Sequence, residues 1–273
     1  MAITVKPLDA PLGAEIIGLD ARNITPEDSK TIFDAFLKHH ILVLHDQHLT
    51  DAELVEFGKC FGPIEKSRFI SPLSGRDDIM VISNIREDGK PMGQLPDGEM
   101  SFHFDRIHQK QPCRAAALMA IEIPREGGDT MFSNMVLAYA TLPEETKRKI
   151  AGKTALNRFT YGATSPDKRE GAGPQCVHPV ARTIPQTGEK SLYVCRLMTD
   201  QIEGMDPDES RQLIDELCDH AEDPRFVYSH QWKVGDIVVW DNRATMHART
   251  DFSETERRLM KRVTIGDDQP PIP

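Results

Sequence analysis

Two residue types that bind transition metals stand two positions apart near the middle of the chain. His103 and Asp105 flank Phe104, and a further histidine, His108, follows them closely. In a β-strand, residues i and i+2 project from the same face roughly 6–7 Å apart, so both side chains could reach one ion. An imidazole and a carboxylate suit a divalent transition metal once at least one more ligand joins them. The spacing therefore indicates a candidate metal site in a strand.

The same spacing also arises by chance, because the chain contains 10 histidines and 43 acidic residues. A second match, His220-Ala221-Glu222, falls near the end of a predicted helix, where its spacing is wrong for chelation. For His103 and Asp105 the alternative is a strand whose outer face is polar. On spacing alone that alternative is favoured.

A distant segment, WDNRATMH followed by RRLMKR, shifts the balance towards a metal. It supplies His247 and then Arg258 and Arg262. Two histidines and one carboxylate form the facial triad of non-haem Fe(II) oxygenases, which keeps coordination positions open for other ligands. Arginines beside such an iron suit a dicarboxylate co-substrate, because a guanidinium fork binds a carboxylate through two hydrogen bonds. The alternative for the two arginines is a solvated strand edge.

The elements that must position these residues are mostly strands. N-cap signals at Thr25 and Thr50 predict two helix starts, and helices are also predicted over LPEETKRKIAG and MDPDESRQLIDELCDHAED. Apolar runs predict strands at ILVLHDQ, IMVIS, CRAAALMAIEI, DIVVW and LMKRVTI. Loops at 84–100 and 161–175 are candidate lids. This pattern predicts a single domain, residues 1–273, built on an antiparallel sandwich or barrel.

Composition argues against several classes of function. The formal net charge of −10, without a compensating block of Lys and Arg, argues against a surface that binds nucleic acid. No apolar run approaches membrane-spanning length, and the N-terminus lacks the regions of a signal peptide, so we expect no membrane partner and a cytoplasmic location. The 5 cysteines are scattered and form no C-x-x-C pair, which indicates reduced thiols.

Together these motifs resemble the taurine dioxygenase/2,4-dichlorophenoxyacetate dioxygenase (TauD/TfdA) family of Fe(II)- and 2-oxoglutarate-dependent dioxygenases. The resemblance begins at LGAEIIGLD and ILVLHDQHLTDAELVEFGKCFGPIE, and it continues through the H-x-D motif, GGDTMFSNM and HPVARTIPQTGEKSLYV. It ends with WDNRATMH and RRLMKRVTIGD. The resemblance implies a mainly β fold, a double-stranded β-helix or jelly roll with flanking helices.

The resemblance also implies roles for individual residues. The iron ligands of the family match His103, Asp105 and His247. Thr130 and Arg258 match the residues that hold the distal carboxylate of 2-oxoglutarate. Arg262 matches an arginine near the C1 carboxylate of 2-oxoglutarate and the anionic end of the substrate.

The reaction implied by the resemblance is hydroxylation of a substrate C–H bond. O2 and 2-oxoglutarate are consumed, succinate and CO2 are co-products, and the expected substrate is a small anionic molecule such as an aryloxyalkanoate or a sulfonate. The presence of Asp105 favours hydroxylation, because related halogenases lack this carboxylate. Where a heteroatom adjoins the hydroxylated carbon, the product would fragment. Family members are commonly dimers or tetramers, so we expect a homo-oligomer.

The residues expected around the substrate depart from those of the taurine-specific members. Ser67 and Ile70 stand where those members have a histidine and a tyrosine, and Phe102 replaces the usual tryptophan before the first iron ligand. These replacements argue against taurine as the substrate. The residues expected to contact the substrate are Arg262, Arg106, Glu99, His108, Met198 and Arg68.

Some of these substrate assignments have alternatives. Arg68 and Arg106 are expected to anchor an anionic group, and the alternative is that they are ordinary surface arginines. His108 is expected to form hydrogen bonds behind the iron ligands and not to bind iron as a fourth ligand.

Two other classes of protein remain open from the sequence. One is a metal-dependent hydrolase on a similar barrel, in which the triad would bind zinc and activate water. The chain has no H-E-x-x-H motif, and this class leaves the two arginines unexplained. The other is a non-catalytic ligand-binding relative, which metal analysis would distinguish.

Overall fold

Strands outnumber helices in the computed structural model, which describes residues 3–94, 98–169 and 171–273. The α-helices are α1 (Pro26–His39), α2 (Asp51–Gly58), α3 (Met135–Thr141), α4 (Glu144–Ile150) and α5 (Pro207–Ala221). Short 3₁₀ helices occur at Lys59–Phe61, Pro166–Lys168 and Pro224–Phe226.

The strands of the first half of the chain are β1 (Thr4–Pro7), β2 (Ala14–Ile17), β3 (Ile41–Leu44), β4 (Met80–Ser83), β5 (Arg86–Glu87), β6 (Lys90–Pro91), β7 (Met100–His103), β8 (Ala115–Glu122) and β9 (Thr130–Asn134). Those of the second half are β10 (Thr154–Arg158), β11 (Gln175–Pro179), β12 (Ala181–Thr183), β13 (Lys190–Leu192), β14 (Thr199–Ile202), β15 (Val227–His230), β16 (Ile237–Asp241), β17 (Thr245–Arg249) and β18 (Leu259–Ile265).

Two sheets enclose the centre of the molecule. One is a 7-stranded sheet in the order β1-β2-β3-β16-β8-β18-β4, and the other is a 4-stranded sheet in the order β15-β9-β17-β7. Apolar side chains of both sheets, such as Phe132 on β9 and Trp240 on β16, share one core cluster. The predicted double-stranded β-helix, or jelly roll, is confirmed.

The central strands of the larger sheet are apolar on both faces because each face meets a different part of the core. On β8, the odd-numbered residues from Ala115 to Met119 pack with α1 and α2, and the even-numbered residues from Ala116 to Ala120 pack between the sheets. The same period of two places Met260 of β18 between the sheets. Arg262, two positions later, therefore also faces the interior.

Helices α1 and α2 cover the outer face of the larger sheet. Each begins with a capping box, in which Thr25 pairs with Asp28 and Thr50 with Glu53. Phe36 of α1 is fully buried, and its ring centroid lies 5.1 Å from that of Phe61. Both predicted helix starts are confirmed.

Most of the other predicted elements are confirmed. The five predicted strands correspond to β3, β4, β8, β16 and β18, and the two later predicted helices correspond to α4 and α5. Helix α3 has no counterpart among the predictions. All five cysteines are free, as predicted. Within the described residues, no helix has both the length and the apolar character needed to cross a membrane.

The two predicted loops contain more regular structure than the sequence indicates. The pair β5 and β6 lies within 84–100, whose residues 95–97 are outside the described part of the chain. A 3₁₀ helix lies within 161–175, whose residue 170 is also outside it.

The prediction that His103 and Asp105 project from one face of a strand is wrong. Strand β7 ends at His103, and Asp105 lies in the turn that follows. Arg106 adopts a left-handed backbone conformation with φ 57°. The chain therefore turns away from the sheet directly after the first histidine, and Asp105 reaches its position through this turn.

We expect Phe36→Ala to lower the free energy of unfolding by about 3–5 kcal/mol, because it removes a fully buried ring and leaves a cavity under the larger sheet. Urea denaturation followed by circular dichroism measures this change. Phe33→Ala, at a half-buried position of the same helix, is the matched control and should cost clearly less. Equal losses for the two variants would contradict the packing described for α1.

Candidate active site

Two histidines meet where β7 pairs with β17. His103 and His247 are direct partners in this antiparallel register, and their ring centroids lie 4.2 Å apart. Side chains of directly opposed residues project from the same face of a sheet. Strand pairing alone therefore brings together two imidazoles that are far apart in the sequence.

Asp105 completes a group of three potential metal ligands. One ligand atom from each of His103, Asp105 and His247 lies within 4.8 Å of the other two. Nε2 of His247 is 3.6 Å from Oδ2 of Asp105. Nδ1 of His103 is 2.9 Å from the carbonyl oxygen of Ser101 and donates to it, which leaves Nε2 free to face the group.

A buried turn between β16 and β17 fixes the second half of this group. Arg243 donates to the Asp241 carboxylate through its backbone nitrogen at 2.9 Å, through Nε at 2.8 Å and through Nη2 at 2.7 Å. Both side chains are essentially inaccessible to solvent. These bonds close the turn in the WDNR motif, and β17 then carries His247 back towards β7.

Asn242, inside the same turn, holds the backbone of Asp105 from both sides. Its Oδ1 accepts the Asp105 N–H at 2.9 Å, and its Nδ2 donates to the Asp105 carbonyl at 3.0 Å. Nδ2 also donates to the carbonyl of Cys113 at 3.0 Å. Asn242 belongs to the WDNR motif, but the sequence predicts no role for it, because its partners lie far away in the chain.

Burial and nearby charges set the protonation of the three side chains. Burial lowers the pKa of His103, and burial lowers the pKa of His247 to about 3. Burial opposes the ionisation of Asp105, but the adjacent Arg262 guanidinium holds its pKa well below the usual range. Two neutral imidazoles and one carboxylate are the forms in which these residues bind a metal.

Arg262 approaches the same carboxylate from β18. Its Nη1 is 3.0 Å from Oδ1 of Asp105, and its Nη2 is 2.8 Å from Oδ2. Its guanidinium carbon also lies 5.5 Å from the ring centroid of Trp240. This arginine therefore lies beside the three potential ligands, where a second anion would meet it.

These residues fit a divalent transition metal. Within the described residues, Oδ2 of Asp105 accepts no well-aligned hydrogen bond although it is buried. A buried carboxylate oxygen without a hydrogen bond, facing two neutral imidazoles, is suited to a cation. The donor set of two imidazoles and one carboxylate is that of non-haem Fe(II) oxygenases.

Arg258 and Thr130 lie in the same interior, farther along the sheets. Gly128 brings its backbone close to Arg258: its carbonyl accepts Nη2 at 3.3 Å, and a Cβ there would stand 3.3 Å from Nε. Burial, and then the charge of Arg249, lower the pKa of Arg258 to about 9. Nε of Arg258 is buried without a hydrogen-bond partner among the described residues. An anion bound at this position could accept a hydrogen bond from Nε and compensate for the buried charge of Arg258.

Of the residues expected around the substrate, Arg106 and Arg262 lie together. Both line one cleft, and an ion pair joins Arg106 Nη1 to Glu65 Oε2. Burial, together with the charge of Arg262, lowers the pKa of Arg106. The side chain of Arg106 is 26% exposed, so it is not an ordinary surface arginine.

His108 and Met198 lie in and beside an apolar cluster near β7. The ring of His108 lies against that of Phe159, tilted by 31° with centroids 4.8 Å apart, and burial lowers the pKa of His108 to about 4. Met198 is buried in the cluster that also contains Phe102 and Phe159. Met198, Phe102 and Phe159, with the ring of His108 against Phe159, form one apolar region.

Glu99 and Arg68 differ from the rest of the expected substrate set. Both are exposed, and neither lines the cleft that contains Arg106 and Arg262. The structure therefore does not bring either residue together with the metal ligands.

A jelly roll with two neutral imidazoles, a carboxylate and buried arginines at its centre defines a non-haem Fe(II) oxygenase. Comparison with known proteins agrees, since residues 4–264 match the family described as "Taurine catabolism dioxygenase TauD, TfdA family". The chain belongs to the TauD/TfdA family. It is a dioxygenase that uses Fe(II), 2-oxoglutarate and O2.

Several relatives resemble the chain over almost its whole length. Pentalenolactone F synthase from Streptomyces arenae is 34% identical, with 100% of this chain and 98% of that protein covered. The (S)-phenoxypropionate/alpha-ketoglutarate-dioxygenase of Sphingobium herbicidovorans is 30% identical, with 98% and 96% covered. The crystal structure of AAD-2 with Mn(II) and N-oxalylglycine is 29% identical, covers 100% of both chains and superposes with a TM-score of 0.86.

We expect His103→Ala to abolish binding of Fe(II) or Mn(II), because two remaining ligands cannot form the facial triad. Anaerobic titration calorimetry with each metal measures this loss. His220→Ala is the matched control, because His220 belongs to the chance match in α5 and forms hydrogen bonds with Thr141 and Ala138. Retention of one metal per chain by the His103 variant would rule out the proposed ligand set.

We expect Asn242→Ala to weaken metal affinity by about 10- to 100-fold, because it releases the backbone of Asp105 while leaving every ligand in place. The same calorimetric titration measures the change, with thermal unfolding recorded to exclude a folding defect. A folded variant with wild-type affinity would show that the turn after β7 holds Asp105 without this amide.

Proposed function

We propose that this dioxygenase hydroxylates a small organic acid with an apolar body, of the aryloxyalkanoate or sulfonate type, and that taurine is not its substrate. The observation that carries the proposal is Arg106, directly after the ligand Asp105, in a left-handed conformation and half-buried in one cleft with Arg262. Strained backbone of this kind is concentrated at functional sites. The name of the phenoxypropionate dioxygenase among the relatives supports an acid of this kind.

The proposed metal ligands are His103, Asp105 and His247. Thr130 and Arg258 hold the distal carboxylate of 2-oxoglutarate, where the buried Nε of Arg258 lacks a partner among the described residues. Arg262 meets the C1 carboxylate. With iron and O2 bound, 2-oxoglutarate is oxidatively decarboxylated to succinate and CO2, and the substrate C–H bond is hydroxylated.

The substrate lies between a cationic end and this apolar region. Its anionic group takes the place of Glu65 as the partner of Arg106, because both side chains of this ion pair are partly exposed and such a pair contributes little net free energy. Its apolar body packs against His108 and Met198, in and beside the cluster that contains Phe159. Glu99 and Arg68, both exposed, would contact only the outer part of a larger substrate.

The other two classes suggested by the sequence receive less support. A zinc hydrolase would leave Arg258 and Arg262 without a role, although both are buried and Arg262 contacts the ligand Asp105. A ligand-binding relative without activity would not need three potential metal ligands in binding-competent protonation states. Family membership supports the dioxygenase over both.

We also propose that residues 1–273 act as one domain, that the enzyme is a cytoplasmic homo-oligomer and that nucleic acids are not partners. The 7-stranded sheet contains strands from both ends of the chain, which supports a single unit. Five free cysteines suit a reducing compartment. Light scattering after size-exclusion chromatography tests the oligomer, where a dimer or a tetramer is expected.

A succinate-release screen over aryloxyalkanoates, sulfonates, alkyl sulfates and phosphonates tests the proposed function. We expect O2-dependent succinate with at least one apolar acid and none with taurine. Anaerobic addition of 2-oxoglutarate to the Fe(II) protein should also give a weak visible charge-transfer band. No band and no succinate in the whole screen would refute the proposal.

With a substrate in hand, we expect Arg106→Ala to weaken its apparent affinity about 10- to 100-fold through the loss of a charge-assisted hydrogen bond, and to leave the apparent affinity for the co-substrate 2-oxoglutarate unchanged. Glu65→Gln is the matched variant: it frees Arg106 from its present partner and should strengthen the apparent affinity for the substrate. Steady-state kinetics with each compound varied in turn measures both. An unchanged substrate affinity in the Arg106 variant would exclude this arginine as the anchor.

A further inference from the structure

The hydroxyl of Thr130 accepts a hydrogen bond from the indole of a tryptophan. Nε1 of Trp232 donates to Oγ1 of Thr130 at 3.0 Å, and both side chains are buried. Among the described residues, this indole is the hydroxyl's sole hydrogen-bond partner. The two residues meet because β15 pairs with β9, where His230 is opposite Thr130, and Trp232 follows two positions later.

The direction of this hydrogen bond determines what Thr130 can do. A hydroxyl has one proton to donate and two lone pairs to accept with, whereas an indole nitrogen only donates. Trp232 therefore occupies a lone pair of Oγ1 and cannot take its proton. The proton of Thr130 remains available for an acceptor in the cavity.

The indole of Trp232 packs against His230, whose own position is set by hydrogen bonds to Asp236 and Tyr228. The ring of His230 meets that of Trp232 edge to face, with centroids 4.6 Å apart. His230 Nε2 donates to Asp236 at 3.0 Å, and its Nδ1 lies 2.9 Å from the hydroxyl of Tyr228. Burial would raise the pKa of Asp236, but the hydrogen bonds from His230 and His45 hold it below its usual value. An ionised Asp236 accepts a hydrogen bond from Nε2 of His230, which fixes the ring of His230 against the indole.

We propose that Trp232 is a positioning residue for 2-oxoglutarate: it orients the hydroxyl of Thr130 so that its proton is donated to the distal carboxylate. The inference rests on the proposed role of Thr130 and extends it. Arg258 supplies the charge at this end of the cavity, and the oriented hydroxyl adds a directional donor. Trp232 thus contributes to the choice of a 2-oxo acid with a distal carboxylate over one without it.

The test compares the binding of two ligands to the protein loaded with Mn(II) in place of Fe(II), so that binding is measured without turnover. One is 2-oxoglutarate, and the other is 2-oxopentanoate, a 2-oxo acid of the same chain length that lacks the distal carboxylate. We expect Trp232→Phe to weaken the affinity for 2-oxoglutarate about five- to tenfold in calorimetric titration and to leave the affinity for 2-oxopentanoate unchanged. Site-specific incorporation of β-(3-benzothienyl)alanine at position 232 should have the same effect, because it replaces the N–H with sulfur at almost constant shape.

A double-mutant cycle separates positioning from packing. We expect Thr130→Val alone to weaken the affinity for 2-oxoglutarate. Adding Trp232→Phe to that variant should cause no further loss of affinity, because the tryptophan acts through the hydroxyl. Tyr228→Phe is the matched control: it removes a partly buried hydrogen bond on β15 but keeps His230 bonded to Asp236, so the ratio of the two affinities should not change.

An equal loss of affinity for both ligands, or losses of affinity that add up in the double-mutant cycle, would overturn the inference and assign Trp232 a packing role only. If the wild-type Mn(II) protein bound neither ligand, the proposed 2-oxoglutarate site itself would fail. If the wild type binds 2-oxoglutarate and the benzothienyl variant binds it equally well, the site stands and the positioning role is refuted.

Discussion

A carboxylate stays ionised inside a protein only where cations and hydrogen-bond donors compensate for the loss of water, and Asp105 depends on that compensation. Arg262 reaches its two oxygens from β18, and the imidazoles of His103 and His247 face it across the centre. Asn242 fixes its backbone from the turn between β16 and β17. Three separate parts of the jelly roll must therefore be in place before the carboxylate can be buried with its charge.

Arg258 is a buried cation in the same interior, and burial opposes its charge. Arg258 lies near Arg249, and its Nε has no hydrogen-bond partner among the described residues. A divalent cation bound alone would add positive charge to this interior, whereas a dianion bound beside it would offset both the metal and Arg258. With 2-oxoglutarate at the proposed site, the metal and the dianion would stabilise each other electrostatically.

Local signals in the sequence predicted what is locally determined. The capping boxes at Thr25 and Thr50 are complete within four residues, and β18 is a largely apolar run, so both were predicted correctly. The turn that places Asp105 was not, because Asn242 holds it from a distant part of the chain. The contact of Trp232 with Thr130 depends on the register between β15 and β9, which no short segment encodes. The jelly roll was predicted from resemblance and strand content combined.

The two strands that carry the histidines differ in how deeply they are embedded. Every residue of β17 is buried and the strand is paired on both sides, whereas β7 is an edge strand whose four residues are all only partly buried. Substitutions on β7 itself therefore disturb less of the core than substitutions on β17, whereas the turn after β7 contains the fully buried Phe104 and Ile107. A partly buried edge strand can therefore accept new side chains beside the first histidine, whereas packing on both sides fixes the neighbourhood of the second.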